Sequence, residues 1–491
     1  MSAPAVIKRE PLLAQLRQTR VWDVIVIGGG ATGLGIAVDA AQRGFSTALI
    51  EARDFASGTS SRSTKLIHGG VRYLAQGNVK LVREALSERA LLLTNAPALV
   101  KPLKLIVPCY RTLEREFLRV GLGVYDALAG SRGIGDTRWL SRAETIAQLP
   151  GVRAHGLLGG VAYWDAQFND ARLAIALMRT AARQSAVVVN YIEVDRIELE
   201  AGTVSALMAR DVKTGERFRL CAKVVFNATG VWADDVRRHA HGAAPSLTTI
   251  SRGSHIVVPA SFMPGASGMM IPRTTDGRVL FAIPWEHYLM VGTTDVAAPG
   301  PTWQPEASAA EIEYIIDTAR DYLQSPISRG DVLTTFAGLR PLFSPTAAKA
   351  TKTISREHAI VIEHGNLVTV VGGKWTTYRK MALDALDQAV KVGLLDARPC
   401  RTAGLKLEVD DSIETACHEA ETAAFAGEGT DSITEFVALA INHEQAHYAD
   451  DVIARRLRVA SLSDYAVSRV RPIVSAALEA AKKKGHSNEW P

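Results

Sequence analysis

The run Gly28-Gly29-Gly30-Ala31-Thr32-Gly33 has the form G-x-G-x-x-G, and Glu51 follows about 20 residues later. Residues of these types at this spacing bind a dinucleotide. The first glycine permits a tight turn, the second lets the backbone approach a pyrophosphate, and the third lets a helix pack on a strand. A helix start offers unpaired N–H groups and a positive dipole end to phosphate oxygens. Glu51 can accept both hydroxyls of a ribose, and its charge disfavours a 2′-phosphate. A second small-residue turn, Asn227-Ala228-Thr229-Gly230, closes the apolar run 222–226, and no second G-x-G-x-x-G occurs. A cofactor that stays in place has to be wrapped closely, so this reading favours FAD over NAD.

Other chemistries find little support. Cys109, Cys221, Cys400 and Cys417 lie far apart without a CxxC pair. That argues against a disulfide framework, a zinc knuckle or a cysteine-held cluster, and fits a reducing compartment. His239 and His241 sit close together, as do His443 and His447, but neither pair has a third ligand and a general-base Glu at metalloprotease spacing. Both pairs read as surface or helix polar residues, and no metal is expected. No nucleophile elbow stands in a convincing context.

The elements that must position these residues follow from the pattern of apolar runs. Residues 22–27 and 45–50 read as buried parallel strands flanking a helix over 33–44, which is a βαβ unit. Helical spacing recurs at 79–93, 117–128 and 171–182, and strands at 186–191 and 222–226. Between about 245 and 335 the runs shorten to 269–271, 279–283 and 288–291, the first two joined across Asp276-Gly277, a hairpin signal. The parallel pattern returns at 367–371, and the chain turns helical and Ala-rich after Pro399. The 491 residues, 47% hydrophobic and 22% charged, suffice for about three domains with a large core. The fold class expected is α/β: a Rossmann-type FAD-binding domain assembled from discontinuous segments (21–95, 150–240 and 340–398), an antiparallel β-sheet substrate domain (96–149 and 241–339), and a C-terminal helical domain (399–491). Net charge +5 is too weak to argue for nucleic acid. No run of about 20 apolar residues occurs and no secretory signal precedes the first strand, so any membrane contact is expected to be peripheral.

The block Thr59-Ser60-Ser61-Arg62-Ser63-Thr64-Lys65-Leu66-Ile67-His68-Gly69-Gly70-Val71-Arg72-Tyr73-Leu74, together with the glycine run, resembles the FAD-dependent glycerol-3-phosphate dehydrogenases. The resemblance continues in order through 253–259 (GSHIVVP), 292–295 (GTTD), 338–342 (GLRPL) and 372–380 (GGKWTTYRK), about three quarters of the chain. A looser match runs through His443-Glu444-Gln445-Ala446, 449–452 and Arg455-Arg456, in a C-terminal part that looks shorter than the family's usual cap. Trp375 stands where the family leads one to expect a smaller aliphatic residue.

The resemblance implies a set of roles. Thr59, Ser60, Ser61, Thr64, Lys65, His68 and Gly69 join Gly28, Gly30, Gly33, Glu51, Ala228, Thr229 and Gly230 in holding FAD, with His68 near the isoalloxazine; His68 reads equally well as a hydrogen-bonded structural residue. Gly373, Lys374 and Thr376 form a second strand-to-helix turn whose N–H groups face the flavin pyrimidine and steady the N1 anion of its reduced form. A phosphate monoester asks for Arg forks and Lys point charges, a role implied for Arg72, Arg340 and Lys374, with Tyr73 donating its hydroxyl. His255 is the first choice for the base that takes the alcohol proton, and Thr293 and Thr294 line the pocket. The activity implied is oxidation of sn-glycerol 3-phosphate to dihydroxyacetone phosphate by hydride transfer to FAD. Electrons then leave to a membrane quinone, with the protein in the cytoplasm, peripheral on the cytoplasmic face of the inner membrane. Lys482-Lys483-Lys484 and the amphipathic 117–128 stretch are the candidates for touching anionic lipid. The alternatives are an oxidase of the same family that uses oxygen, an amino-acid or 2-hydroxy-acid oxidase on the same fold, and a non-catalytic FAD-bearing scaffold. A homodimer is compatible with each.

Overall fold

The computed structural model describes residues 6–486 except 19, 72, 73, 75, 76, 241, 243, 276, 345–356, 428 and 458. The chain forms two compact units: one takes the segments up to Ser61, Asp170–Ile250 and from Arg340 onward, the other Arg62–Asn169 and Ser251–Leu339.

In the first unit, strands Val21–Ile27, Thr47–Glu51 and Val187–Asn190 read VWDVIVI, TALIE and VVVN. Runs this apolar need cover on both faces, the situation of a parallel sheet between two layers. The strand order is His358–Glu363, Leu367–Gly372, Arg217–Asn227, Val21–Ile27, Thr47–Glu51, Val187–Asn190, parallel throughout except at the His358–Glu363 edge. Helices Ala31–Gln42, Asp170–Arg183 and Tyr378–Lys391 pack together, and small residues let them approach: a Cβ on Gly35 would stand 2.8 Å from the Tyr378 ring. The opposite face, built from Trp22, Ile25, Ile50 and Val189, packs under the antiparallel strands Ile192–Glu200 and Thr203–Asp211. The C-terminal helices Asp411–Ala426, Thr430–Glu444 and Asp464–His486 enclose a core of their own around Ile413, Phe436, Val452 and Val474.

The second unit is built on a sheet in which Val296–Ala297, Thr248–Pro259, Tyr288–Gly292, Leu280–Trp285, Gly268–Ile271, Val100–Cys109, Gly159–Phe168 and Leu66–Ile67 lie side by side. All pairs are antiparallel except Gly268–Ile271 with Val100–Cys109. Thr334–Phe343 pairs with Thr248–Pro259, and Arg138–Ser141 with Gly159–Phe168. One face packs on Ile312, Ile315 and Ile316 of helix Ala309–Arg320. The other packs on Val82 and Leu86 of helix Val79–Asn95 and on Leu122 and Tyr125 of helix Thr112–Ala129.

This division differs from the sequence boundaries at 95 and 150. Helix Val79–Asn95 and strand Gly159–Phe168 group with the antiparallel sheet, because Gly159–Phe168 pairs with Val100–Cys109 over ten consecutive residues and Leu86 packs into the core those strands form. The C-terminal helices group with the nucleotide unit, to which buried Arg172 ties them through ion pairs with Glu414 and Glu444.

Candidate active site

In the first unit the strand ends of Val21–Ile27 and Arg217–Asn227 meet. Gly28 has φ +109°, and a Cβ there would stand 2.7 Å from the Ala228 carbonyl oxygen. Only glycine allows both the left-handed turn and this approach, so backbone rather than side chain faces any ligand at this point. Helix Ala31–Gln42 starts at the turn, and the Ser60 hydroxyl accepts the Ala31 N–H at 3.0 Å. Ser60 belongs to the short 3₁₀ turn Thr59–Ser61, and its carbonyl accepts the indole N–H of Trp375 at 2.8 Å. The Ser60 turn, the glycine turn and the second turn at 373–376 are therefore joined through one serine.

Glu51 ends the second strand. Its Oε2 accepts the Gly29 N–H at 2.6 Å and its Oε1 the Arg53 N–H at 2.8 Å. Each carboxylate oxygen keeps a further lone pair for a ribose hydroxyl. Burial pushes the Glu51 pKa up, and the two backbone N–H groups oppose that push. Thr229 donates its hydroxyl to Asn227 Oδ1 at 2.7 Å, and Gly230, at φ +62°, has open space where a Cβ would be. A glycine cradle at a helix N-terminus, a buried carboxylate and a second small-residue turn are what the pyrophosphate and adenosine of FAD require. Gly28, Gly30, Gly33, Glu51, Ser60 and 228–230 would hold it.

In the second unit His255 lies at the centre of a different cluster. Its ring is 2% exposed and stacks flat on Phe336, centroids 4.6 Å apart and planes at 8°. Its Nε2 is 2.9 Å from the Thr64 hydroxyl. Gly292 stands opposite His255 in the sheet register, where any larger residue would run into the imidazole. Thr293 follows Gly292 and is half-buried. The Lys65 ammonium is buried over the same Phe336 ring at 5.7 Å. On the strand Thr334–Phe343, side-chain alternation puts Phe336, Gly338 and Arg340 on one face. Gly338 is pressed against the Arg62 carbonyl, which a Cβ would meet at 2.7 Å, and Arg340 is half-buried. An imidazole held by a hydroxyl and an aromatic face has the parts of a fixed general base.

Several expectations are revised. The Gly69 N–H donates to Tyr125 Oη at 2.8 Å and to Asp165 Oδ1 at 3.2 Å, inside a buried network with Arg89, so it serves the fold of the second unit. The Thr294 hydroxyl donates to Glu311 at 2.7 Å and accepts the Ser254 N–H at 2.9 Å, so it is committed to structural hydrogen bonds. His443 is a buried residue of helix Thr430–Glu444, as the helix reading has it, and His447 is half-buried, packing edge-on against Tyr191 with Nδ1 3.0 Å from Lys213 Nζ. Burial, with Lys213 beside it, brings the His447 pKa down to about 2. Lys374 and Thr376 sit at the second turn as expected, half-buried and buried, and Thr59, Ser61 and His68 are half-buried. Arg72 and Tyr73 lie outside the described residues. Phe336 went unnoticed in the sequence; its only signal is a position two alternations before Arg340.

Residues 23–379 match the family described as FAD dependent oxidoreductase. The chain is 44% identical over 415 residues to the mitochondrial glycerol-3-phosphate dehydrogenase of Mesocricetus auratus, covering 82% of this chain and 57% of that one. It is 38% identical over 515 residues to the probable mitochondrial glycerol-3-phosphate dehydrogenase of Caenorhabditis elegans, covering 95% and 71%. The chain thus spans little more than half the length of the mammalian relatives it matches. Among solved structures, the glycerol-3-phosphate dehydrogenase of Bacillus halodurans complexed with FAD superposes with TM-score 0.76 at 27% identity, over 96% of this chain and 93% of that one.

Proposed function

Because the chain belongs to the FAD-dependent oxidoreductases, among the glycerol-3-phosphate dehydrogenases, we propose that it oxidises sn-glycerol 3-phosphate to dihydroxyacetone phosphate. The observation that carries this reading is His255, a buried imidazole fixed by Thr64 and Phe336, in a chain whose other unit has the glycine cradle and Glu51. FAD, when bound, supplies the two-electron acceptor for the C2 hydrogen. His255 takes the proton of the C2 hydroxyl, with Thr64 and the Phe336 face fixing the ring. Arg340 and Lys374 meet the doubly charged phosphate, the first with a fork and the second with a point charge. Glu51 and the glycine turn hold the adenosine and pyrophosphate.

The electrons go to a quinone, and the protein sits peripherally on an anionic membrane, on the cytoplasmic face of the inner membrane. Two features support attachment. On helix Thr112–Ala129, Phe117, Val120 and Val124 are 70%, 66% and 43% exposed and recur at helical spacing. Lys482 and Lys483 are exposed near the end of the last helix. No helix among the described residues is long and apolar enough to cross a membrane.

Anaerobic addition of glycerol 3-phosphate should bleach the visible flavin band of the purified protein, while glycerol bleaches it only slowly and amino acids leave it unchanged. Bleaching by an amino acid, or none by glycerol 3-phosphate in FAD-loaded protein, overturns the assignment. Peroxide yield against quinone reduction then decides the acceptor.

A further inference from the structure

The segment that follows Glu51 is held by the C-terminal helices. Residues 52–58 fold back on the glycine turn: the Ala56 N–H donates to the Gly29 carbonyl at 2.9 Å, and the buried Phe55 ring lies 2.8 Å from where a Gly29 Cβ would be. The same segment carries Asp54, a fully buried carboxylate. Its oxygens accept from Arg456 Nη1 and Nη2, from Arg455 Nε at 2.5 Å, and from Asn190 Nδ2 at 3.2 Å. Arg455 and Arg456 end the π-helical turn Asp451–Arg456. Arg455 also pairs with Asp451 at 2.7 Å, and Asp451 in turn accepts the Tyr191 hydroxyl at 2.6 Å. Asn190 Nδ2 reaches back to the Gln445 carbonyl at 2.9 Å. Burial alone would raise the Asp54 pKa; Arg456 and Arg455 overcome this and hold it below the usual carboxylate range.

A buried carboxylate that loses a partner is strongly destabilised, and the segment carrying it must move to find solvent. That segment is continuous with Glu51 and hydrogen-bonded to Gly29. We propose that Arg456 and Arg455 are positioning residues for the adenosine half of the cofactor site, acting through Asp54 on the Glu51–Gly29 pair. The C-terminal helices are then a brace for cofactor retention. The inference rests on the FAD reading above.

The test is the rate of FAD release from the holoenzyme, followed as the rise in flavin fluorescence after dilution. Arg456→Lys keeps the charge and loses the fork. It should speed release about tenfold or more, while KM for glycerol 3-phosphate stays at the wild-type value. In a cycle with Glu51→Ala the double variant should release FAD faster by less than the product of the two single effects, because both act on one element. Release within about twofold of wild type, or fully multiplicative effects, overturns the proposal, since arginines that serve the fold without reaching the Glu51–Gly29 pair would produce those. Should Arg456→Lys fail to fold, Arg455→Lys, which leaves the Arg456 fork on Asp54, carries the same comparison. Wild type that purifies without FAD overturns the functional reading; wild type that holds FAD, with variants releasing it at the same rate, overturns only this inference.

Discussion

Arg340 is the residue on which selectivity for a phosphorylated alcohol should turn. The phosphate is remote from C2, so its binding free energy can align the reacting carbon. An Arg fork fixes two phosphate oxygens, whereas Lys gives charge without that geometry. Arg340→Lys should keep the flavin spectrum and lower kcat/KM for glycerol 3-phosphate about a hundredfold or more, about 2.7 kcal/mol. Activity on glycerol, which has no phosphate to lose, should hardly change. An equal decline on both substrates would mean that Arg340 acts on the cofactor or the alcohol instead. At this scale the sequence was most informative where chemistry dictates residue type at fixed spacing. The glycine turn and Glu51 are placed together as their spacing implied, and Ser60, which entered through the family resemblance, joins them. It was least informative where a role depends on a partner distant in sequence. Thr64 and Phe336 reach His255 across 191 and 81 positions respectively. Gly69 and Thr294, both within recognisable motifs, turned out to serve packing and hydrogen bonding in the second unit.

The strand that presents His255 is fastened by the helix that follows it in space. Glu311 is the third residue of helix Ala309–Arg320 and closes a capping box with Ser308. It also accepts the hydroxyls of Ser254 at 2.8 Å and Thr294 at 2.7 Å, the former being the immediate neighbour of His255. Burial pushes the Glu311 pKa upward, but the hydrogen bonds from Thr294, Ser308 and Ser254 outweigh it and bring the value from 4.5 to about 2. A depressed carboxylate contributes stability that is present above its unfolded pKa and is lost as pH falls through the folded one. Glu311→Gln retains a side chain that can complete the capping box but cannot ionise. Wild type should therefore be the more stable by denaturant unfolding above pH about 4.5, and the gap should close as pH falls toward about 2. A gap that does not vary over that window would place the charge elsewhere. Element type was legible because burial on both faces gives unbroken apolar runs and burial on one face gives short alternating ones. Element grouping was less so. Helix Val79–Asn95 shows its apolar stripe in sequence, but nothing in the stripe says which sheet it covers.

For the whole molecule, the sequence separated a nucleotide-binding body, an antiparallel body and helices at the end, yet left the helices without a task. Their tie to Asp54 depends on a carboxylate and two arginines about 400 positions apart, a separation that no local pattern reports. Attachment to a membrane is also a property of the whole surface. Net charge +5 gives only a weak general attraction to anionic lipid. The stronger contribution expected is the apolar ridge of helix Thr112–Ala129, where Phe117 is 70% exposed. Burying one such side chain contributes about 1.5–3 kcal/mol, so Phe117→Asp should weaken co-sedimentation with anionic phospholipid vesicles about tenfold or more. Turnover with a soluble dye acceptor should stay as in wild type, because the substitution lies on an exposed helix face. High salt should weaken what binding remains, since the part left to Lys482 and Lys483 is screened within a Debye length. Vesicle binding that survives Phe117→Asp intact and also resists salt would rule out this ridge as the membrane contact.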